Sequence, residues 1–189
     1  MNDDTLIAQL NERGALLDGH FRLSSGRHSD RFIQKFRVLE DPALLEPIAK
    51  RLAETAAPHH PTVVVSAAIG GIVLGYEVAR ALGTRAIFVE KENGIPTLRR
   101  SFRLEPADRA FVVEDVVTTG GSIREVLDVV ERTGAKAVAV GVIVRRAPIE
   151  LNVPLTALID MPIESYDPAD CPQCAAGEPL DEPGSRFVR

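Results

Sequence analysis

Tryptophan is absent from the 189 residues, and cysteine, methionine and tyrosine occur only twice each. Both cysteines, Cys171 and Cys174, fall in one CPQC, so the chain cannot be a small secreted domain built on a disulfide framework. No apolar run reaches the ~20 residues that a bilayer-spanning helix needs, so no membrane partner is expected. The opening MNDDTLIAQL is acidic and lacks the basic-then-apolar pattern of a secretory signal. Positive charge is also short. Twenty-seven acids outnumber 22 Lys and Arg, and the net charge of −5 argues against a nucleic-acid partner and for a soluble cytoplasmic protein. There is no internal repeat and no low-complexity segment. The composition, 45% hydrophobic and 26% charged, is that of a globular chain with room for one well-buried domain and little for two. A single domain over residues 1–189 is therefore expected, with a Pro/Gly-rich tail from about residue 164.

The most informative stretch is FVVEDVVTTGGSIREVLDVV, from Phe111 to Val130. Ala110 to Val113 is an apolar, β-branched run that predicts a buried parallel strand. Glu114 and Asp115 follow at once, then Val116 and Val117, then Thr118, Thr119, Gly120, Gly121 and Ser122. Ile123, Val126, Leu127 and Val130 recur at helical spacing, and Ser122 with Glu125 has the form of a capping box. A helix start exposes unpaired N–H groups and the positive end of the helix dipole, and glycines let an anion approach the backbone. Three hydroxyls add donors, while two carboxylates just upstream can accept from vicinal hydroxyls or touch Mg²⁺. The expected ligand is a ribose 5-phosphate with free 2- and 3-hydroxyls. An ordinary capped turn would explain the hydroxyls but not the adjacent acids. The loop is neither a Walker loop, which needs Gly-Lys-Ser/Thr, nor a GxGxxG dinucleotide fingerprint.

The remaining segments alternate strand and helix, which predicts an α/β fold with a parallel sheet flanked by helices. Asp3 to Gly14 predicts a helix, and Asp41-Pro42 starts another with Leu44, Leu45, Ile48 and Leu52 on its apolar face. Phe21 to Val38 predicts a basic hairpin around a Ser-Ser-Gly turn, carrying Arg22, Arg27, Arg31, Lys35 and Arg37. Strands are predicted at Thr62 to Val65, Arg85 to Glu90, Ala137 to Val144 and Leu155 to Ile159. The first of them leads into Ile69-Gly70-Gly71 and a helix, which is either a second anion site or a mere tight turn. Lys91 to Ala110 reads as a mobile basic loop or ribbon with Lys91, Arg99, Arg100 and Arg103. Arg145-Arg146 ends the Ala137 to Val144 strand on the edge where α/β ligands bind, and a guanidinium there can grip a carboxylate bidentately.

The run VVEDVVTTGGS resembles the phosphoribosyl-pyrophosphate (PRPP) signature of type I phosphoribosyltransferases, and from Phe21 to Arg146 the chain is similar to the orotate phosphoribosyltransferases among them. The resemblance implies Mg²⁺-dependent transfer of phosphoribosyl from PRPP to orotate, releasing pyrophosphate. Related alternatives are a purine-base phosphoribosyltransferase and a non-catalytic PRPP-sensing regulator. It also implies a homodimer, an edge strand near Leu155, and a small N-terminal hood over the base at about residues 15–38, in which Phe32 and Ile33 line the orotate site. Ser24 stands where many relatives carry a lysine. Glu114, Asp115 and Lys91 are the implied catalytic residues. PRPP would be held by Ile69, Gly70, Gly71, Lys91, Arg99, Arg100 and the run Glu114, Asp115, Val116, Val117, Thr118, Thr119, Gly120, Gly121 and Ser122. Thr118 and Arg146 would orient orotate. Arg99 or Arg100 would replace a lysine and a histidine of the longer family loop, and Arg145 stands where an acid is usual. No dedicated metal site is implied. Mg²⁺ comes in on PRPP, with Asp115 the candidate protein contact.

CPQC has the form of half a zinc knuckle, and a closed structural site takes four ligands. The chain offers only His20, His28, His59 and His60 beside the two cysteines, none at a matching spacing, so no zinc is expected except through a site shared between copies. A thioredoxin-type role is disfavoured because the motif lies in a Pro-rich tail.

Overall fold

The computed structural model describes residues 3–23 and 25–183. Ser24 and the last six positions of the expected tail lie outside the described residues. In chain order the elements are α1 (Asp3–Glu12), β1 (Leu16–Arg22), β2 (His28–Ile33), α2 (Phe36–Leu39), α3 (Pro42–Ala56), β3 (Val63–Ala67), α4 (Gly70–Leu82), β4 (Arg85–Glu92), β5 (Ile95–Leu98), β6 (Arg109–Val117), α5 (Gly121–Arg132), β7 (Lys136–Arg145), β8 (Leu155–Asp160) and α6 (Pro172–Ala175).

Six strands form one sheet in the order β5-β4-β3-β6-β7-β8, parallel except for β5. The central strands β3, β6 and β7 are the β-branched runs that burial on both faces demands. Side chains alternate between the faces. Val64, Phe111 and Val113 join α1, α3 and α4 in one core, while Val63, Val65, Ala110 and Val112 join α5 in the other. Helix α3 begins where Asp41 caps it, its carboxylate accepting from the N–H groups of Ala43 at 2.9 Å and Leu44 at 3.4 Å. The predicted apolar face is the one buried: Leu44, Leu45, Ile48 and Leu52.

Strand order decides where a ligand can sit. From β3 the chain moves outward to β4, then returns to place β6 on the other side of β3. The connections leaving the C-terminal ends of β3 and β6 therefore diverge to opposite faces, and a crevice opens between them. The Ile69–Gly71 turn and the Thr118–Ser122 loop are those two connections.

The antiparallel hairpin β1–β2 forms a separate two-stranded sheet, as expected of the basic N-terminal segment. Phe36 to Val38, predicted to belong to it, fall instead in the short helix α2. The chain beyond β8 folds back over this hairpin, with His28 and Tyr166 exchanging backbone hydrogen bonds and Arg22 donating to the Asp181 carbonyl. Among the described residues no helix is long and apolar enough to cross a membrane.

Candidate active site

Strand β6 runs through Val117, four residues beyond its predicted end, because β7 goes on pairing with it through Arg145. Glu114 and Asp115 consequently lie within a strand rather than after one, and successive side chains point to opposite faces. Glu114 faces the loop side and lines a cavity of about 270 Å³ with Lys91, Glu125 and Thr118 to Ser122. Asp115 faces the helix side, in a narrow crevice with Leu10, Ile33, Lys35 and Val38. Both acids are buried, at 8% and 2% exposure. Burial first, and then the Asp115 charge, pushes the Glu114 carboxyl up to about 8.

Lys35, which the sequence places only among a row of basic residues, reaches the acidic pair. Its ammonium lies 2.9 Å from Asp115 Oδ2 and donates to Oδ1 at 3.2 Å, giving the least exposed carboxylate its counter-charge. The only sequence signal was its place in a basic segment, since 80 residues separate the partners.

Thr118 to Ser122 lead from β6 into α5, with one correction to the expected start of the helix. The residue that opens α5 is Gly120, in the left-handed region at φ 78°, and no side chain caps the helix. The capping box of Ser122 and Glu125 does not form, because the left-handed glycine starts the helix before Ser122, and the Glu125 carboxylate is held by Lys91 at 2.7 Å. The donors at the start of α5 therefore stay directed at the cavity with Thr118, Thr119 and Ser122 around them. Arg124, also missed, braces the loop from behind by donating to the Thr119 carbonyl and, at 3.2 Å, to that of Glu150.

At the end of β3, Ile69 precedes α4 with no side-chain cap. A Cβ on Gly70 would lie 2.3 Å from Asp115 Oδ2 and 2.7 Å from Lys35 Nζ, so only glycine lets α4 start against that pair. The start of α4 thus lies against Asp115 and Lys35 on one face of β6, while Glu114 faces the start of α5 on the other.

The basic segment after β4 is the ribbon alternative rather than an open loop. β4 and β5 pair antiparallel, Arg99 lies 3.3 Å from Glu92, and Arg100 lies 3.1 Å from Glu90. Lys91 is held by Glu125, so each predicted pyrophosphate cation has an acidic partner in the ligand-free chain. At the end of β7 the two arginines divide. Arg145 grips Asp160 bidentately through Nε and Nη2, the latter at 2.8 Å. Arg146 has a half-buried guanidinium whose Nε is buried without a partner, and burial lowers its proton affinity. It lines a cavity of about 280 Å³, and its backbone N–H donates to the Val117 carbonyl at 2.8 Å, directly before the phosphate loop. Ile33 faces Asp115, whereas Phe32 lies beside Phe21 and lines a different cavity with Ile7, Leu16 and Met161. A larger cavity of about 430 Å³, beside the starts of β7 and β8, is at the wrong end of the sheet for this chemistry.

Residues 38–153 match the phosphoribosyl transferase domain family. The chain is 47% identical to an orotate phosphoribosyltransferase of Pelotomaculum thermopropionicum over 190 aligned residues, covering 100% of both chains. It is 45% identical to one from Desulforamulus reducens, again over 100% of both. Among solved structures it is similar to orotate phosphoribosyltransferase from Aeropyrum pernix, with a TM-score of 0.70 and 27% identity over 82% of this chain and 93% of that one.

Proposed function

The chain belongs to the phosphoribosyl transferase domain family, and from that premise we infer that it is an orotate phosphoribosyltransferase. It transfers phosphoribosyl from PRPP to orotate. The bond from the anomeric carbon to pyrophosphate breaks, the bond to the base nitrogen forms, and orotidine 5-phosphate and pyrophosphate leave.

The observation that carries the choice of base is Arg146. An unpaired guanidinium donor at a strand end, tied by its backbone to the phosphate loop, calls for an anionic partner, and orotate brings a carboxylate. In this proposal the N–H groups and hydroxyls of Thr118 to Ser122 bind the 5-phosphate, and Thr118 orients the base with Arg146. Glu114 and Asp115 accept from the ribose hydroxyls, and the ionised Asp115 stabilises positive charge growing on the sugar. Lys35 holds Asp115 in place. The start of α4 at Ile69, Gly70 and Gly71 meets the pyrophosphate, and Lys91 exchanges Glu125 for it, with Arg99 and Arg100 in support. Orotate is already an anion, so no strong general base is required. Ile33 flanks the sugar side of the pocket.

Mg²⁺ fits this donor set as an ion carried on the diphosphate. Asp115 is paired with Lys35 and Glu114 is disposed to hold a proton, so the ion would rest chiefly on the diphosphate and would touch Asp115 at most once. When bound, the ion neutralises charge on the leaving group. A homodimer is proposed on the exposed apolar side chains Ile69, Val73 and Tyr76 beside the site, and a cytoplasmic location on the acidic composition.

The test follows orotate absorbance with PRPP and Mg²⁺, set against adenine, guanine, hypoxanthine and xanthine. Orotate alone should be consumed. Arg146→Ala should raise the KM for orotate on the order of 10-fold or more, and that for PRPP much less. A larger effect on PRPP contradicts the carboxylate clamp.

A further inference from the structure

The spacing of His20, His28, Cys171 and Cys174 predicts nothing, yet the fold gathers them. One ligand atom from each lies within 4.8 Å of every other. His20 Nε2 is 3.1 Å from His28 Nδ1, 3.5 Å from Cys171 Sγ and 3.6 Å from Cys174 Sγ, and Cys174 Sγ is 3.2 Å from His28 Nδ1. A tetrahedral zinc ion with Zn–N of ~2.0–2.1 Å and Zn–S of ~2.3 Å has N···N edges of about 3.3 Å and N···S edges of about 3.6 Å. The four separations quoted follow these edges to within about 0.4 Å, and the remaining two are no longer than 4.8 Å. We propose that His20, His28, Cys171 and Cys174 form a closed structural Zn²⁺ site that pins the C-terminal tail to the N-terminal hairpin.

Three further features favour a metal over a chance cluster. His20 Nδ1 lies 3.1 Å from the Glu178 carbonyl, which can only accept. Nδ1 therefore carries the proton and Nε2 presents its lone pair to the cluster, the outer-shell arrangement that fixes a ligating histidine. Cys171 caps α6 and Cys174 lies in its single turn, which brings both sulfurs to His20 Nε2, and the Ala175 and Gly177 N–H groups donate to the Cys171 and Cys174 carbonyls. Both histidines and Cys171 are buried, so the ring nitrogens and thiol that face one another are shielded from bulk water. Two soft sulfurs with two imidazoles in a tetrahedron select Zn²⁺ over Mg²⁺ or Ca²⁺. Four protein ligands leave no open position, so the ion is structural rather than catalytic.

The ligands come from β1, from the start of β2 and from a tail some 150 residues away, because His20 and Cys171 are separated by 151 positions. The same tail is stitched to the hairpin by Gln173 donating to the Gly19 carbonyl and Ser29 donating to the Glu164 carbonyl. Zinc would lock this clasp and hold the hairpin that carries Phe32 and Ile33.

The experiment uses the full chain, purified under reducing conditions without chelator or affinity-tag metal. Elemental analysis should find about one Zn²⁺ per chain. Replacement by Co²⁺ should produce the intense visible bands of a tetrahedral thiolate complex, a readout that needs no variant. Removal of the ion by chelation should lower the Tm of the wild type. Cys174→Ser, at an exposed ligand, should abolish the Co²⁺ thiolate spectrum or weaken metal binding at least 10-fold, while His59→Ala should leave both unchanged. The proposal is overturned if the reduced chain takes up no Zn²⁺ or Co²⁺ from stoichiometric excess. It is equally overturned if uptake is indifferent to Cys174→Ser, or if the purified chain holds a Cys171–Cys174 disulfide that reduction does not convert to a metal-binding form.

Discussion

Glu114 offers the sharpest physical test. Its carboxyl is 8% exposed beside the still more buried Asp115, and its proton affinity is raised to about 8, from a usual 4.5, chiefly by loss of water. In an unfolded chain the same group ionises near its usual value. Between those two pH values the folded protein holds a proton that the unfolded chain has released, so stability falls as pH rises through that window. One proton difference is worth ~1.4 kcal/mol per pH unit, and the whole gap about 5 kcal/mol. Glu114→Gln keeps the shape and an oxygen to accept from the Asp115 N–H, a bond of 3.1 Å in the wild type, but carries no charge. Urea unfolding of both proteins at a series of pH values from 5 to 8.5, with the slope held common, measures the difference. The wild type should lose stability relative to the variant by ~1 kcal/mol per pH unit up to about pH 8, then level off. Curves that stay parallel would refute the assignment of a buried protonated carboxyl. A wild type that gains on the variant as pH rises would mean the ionised form is the favoured one. Ribose hydroxyls donate to that ionised form, so PRPP binding by the wild type should tighten towards pH 8 while Glu114→Gln shows no such trend.

Asp115→Asn should lower kcat by on the order of 10²-fold or more with the circular dichroism spectrum unchanged, because it removes charge beside the sugar and strands the Lys35 ammonium. Wild-type turnover in that variant would take the acidic pair out of the mechanism. Gly141→Ala tests the core instead. The added Cβ would lie 2.5 Å from Phe111 Cζ and 3.1 Å from Leu52 Cδ2, both buried, and should cost ~1–3 kcal/mol in urea unfolding with both KM values unaltered. An unchanged unfolding midpoint would show that the ring has room to turn aside.

The order of strand, glycine-rich loop and helix between Ala110 and Val130 was legible, since a strand buried on both faces must be apolar and an amphipathic helix must repeat its apolar residues at helical spacing. The same rules placed α3 with its Asp41 cap, and β3, β7 and β8 within two residues of their observed ends. Local rules misjudged ends that depend on a neighbour. β6 continues to Val117 because β7 pairs with it that far, and α5 starts at a left-handed glycine rather than at a capping serine.

What only the tertiary structure decided are relations between distant parts of the chain. Strand order puts the Ile69–Gly71 turn and the Thr118–Ser122 loop at the same ends of neighbouring strands, and neither segment encodes its neighbour. Lys35 reaches Asp115, Lys91 is claimed by Glu125, and Arg145 by Asp160 while Arg146 stays unpaired at Nε. His20 and His28 meet Cys171 and Cys174 only because the tail returns over the hairpin. Hydrophobic periodicity records how each segment meets its own two faces. Which polar side chains converge depends on how the segments pack, and that is settled by burial summed over the whole molecule.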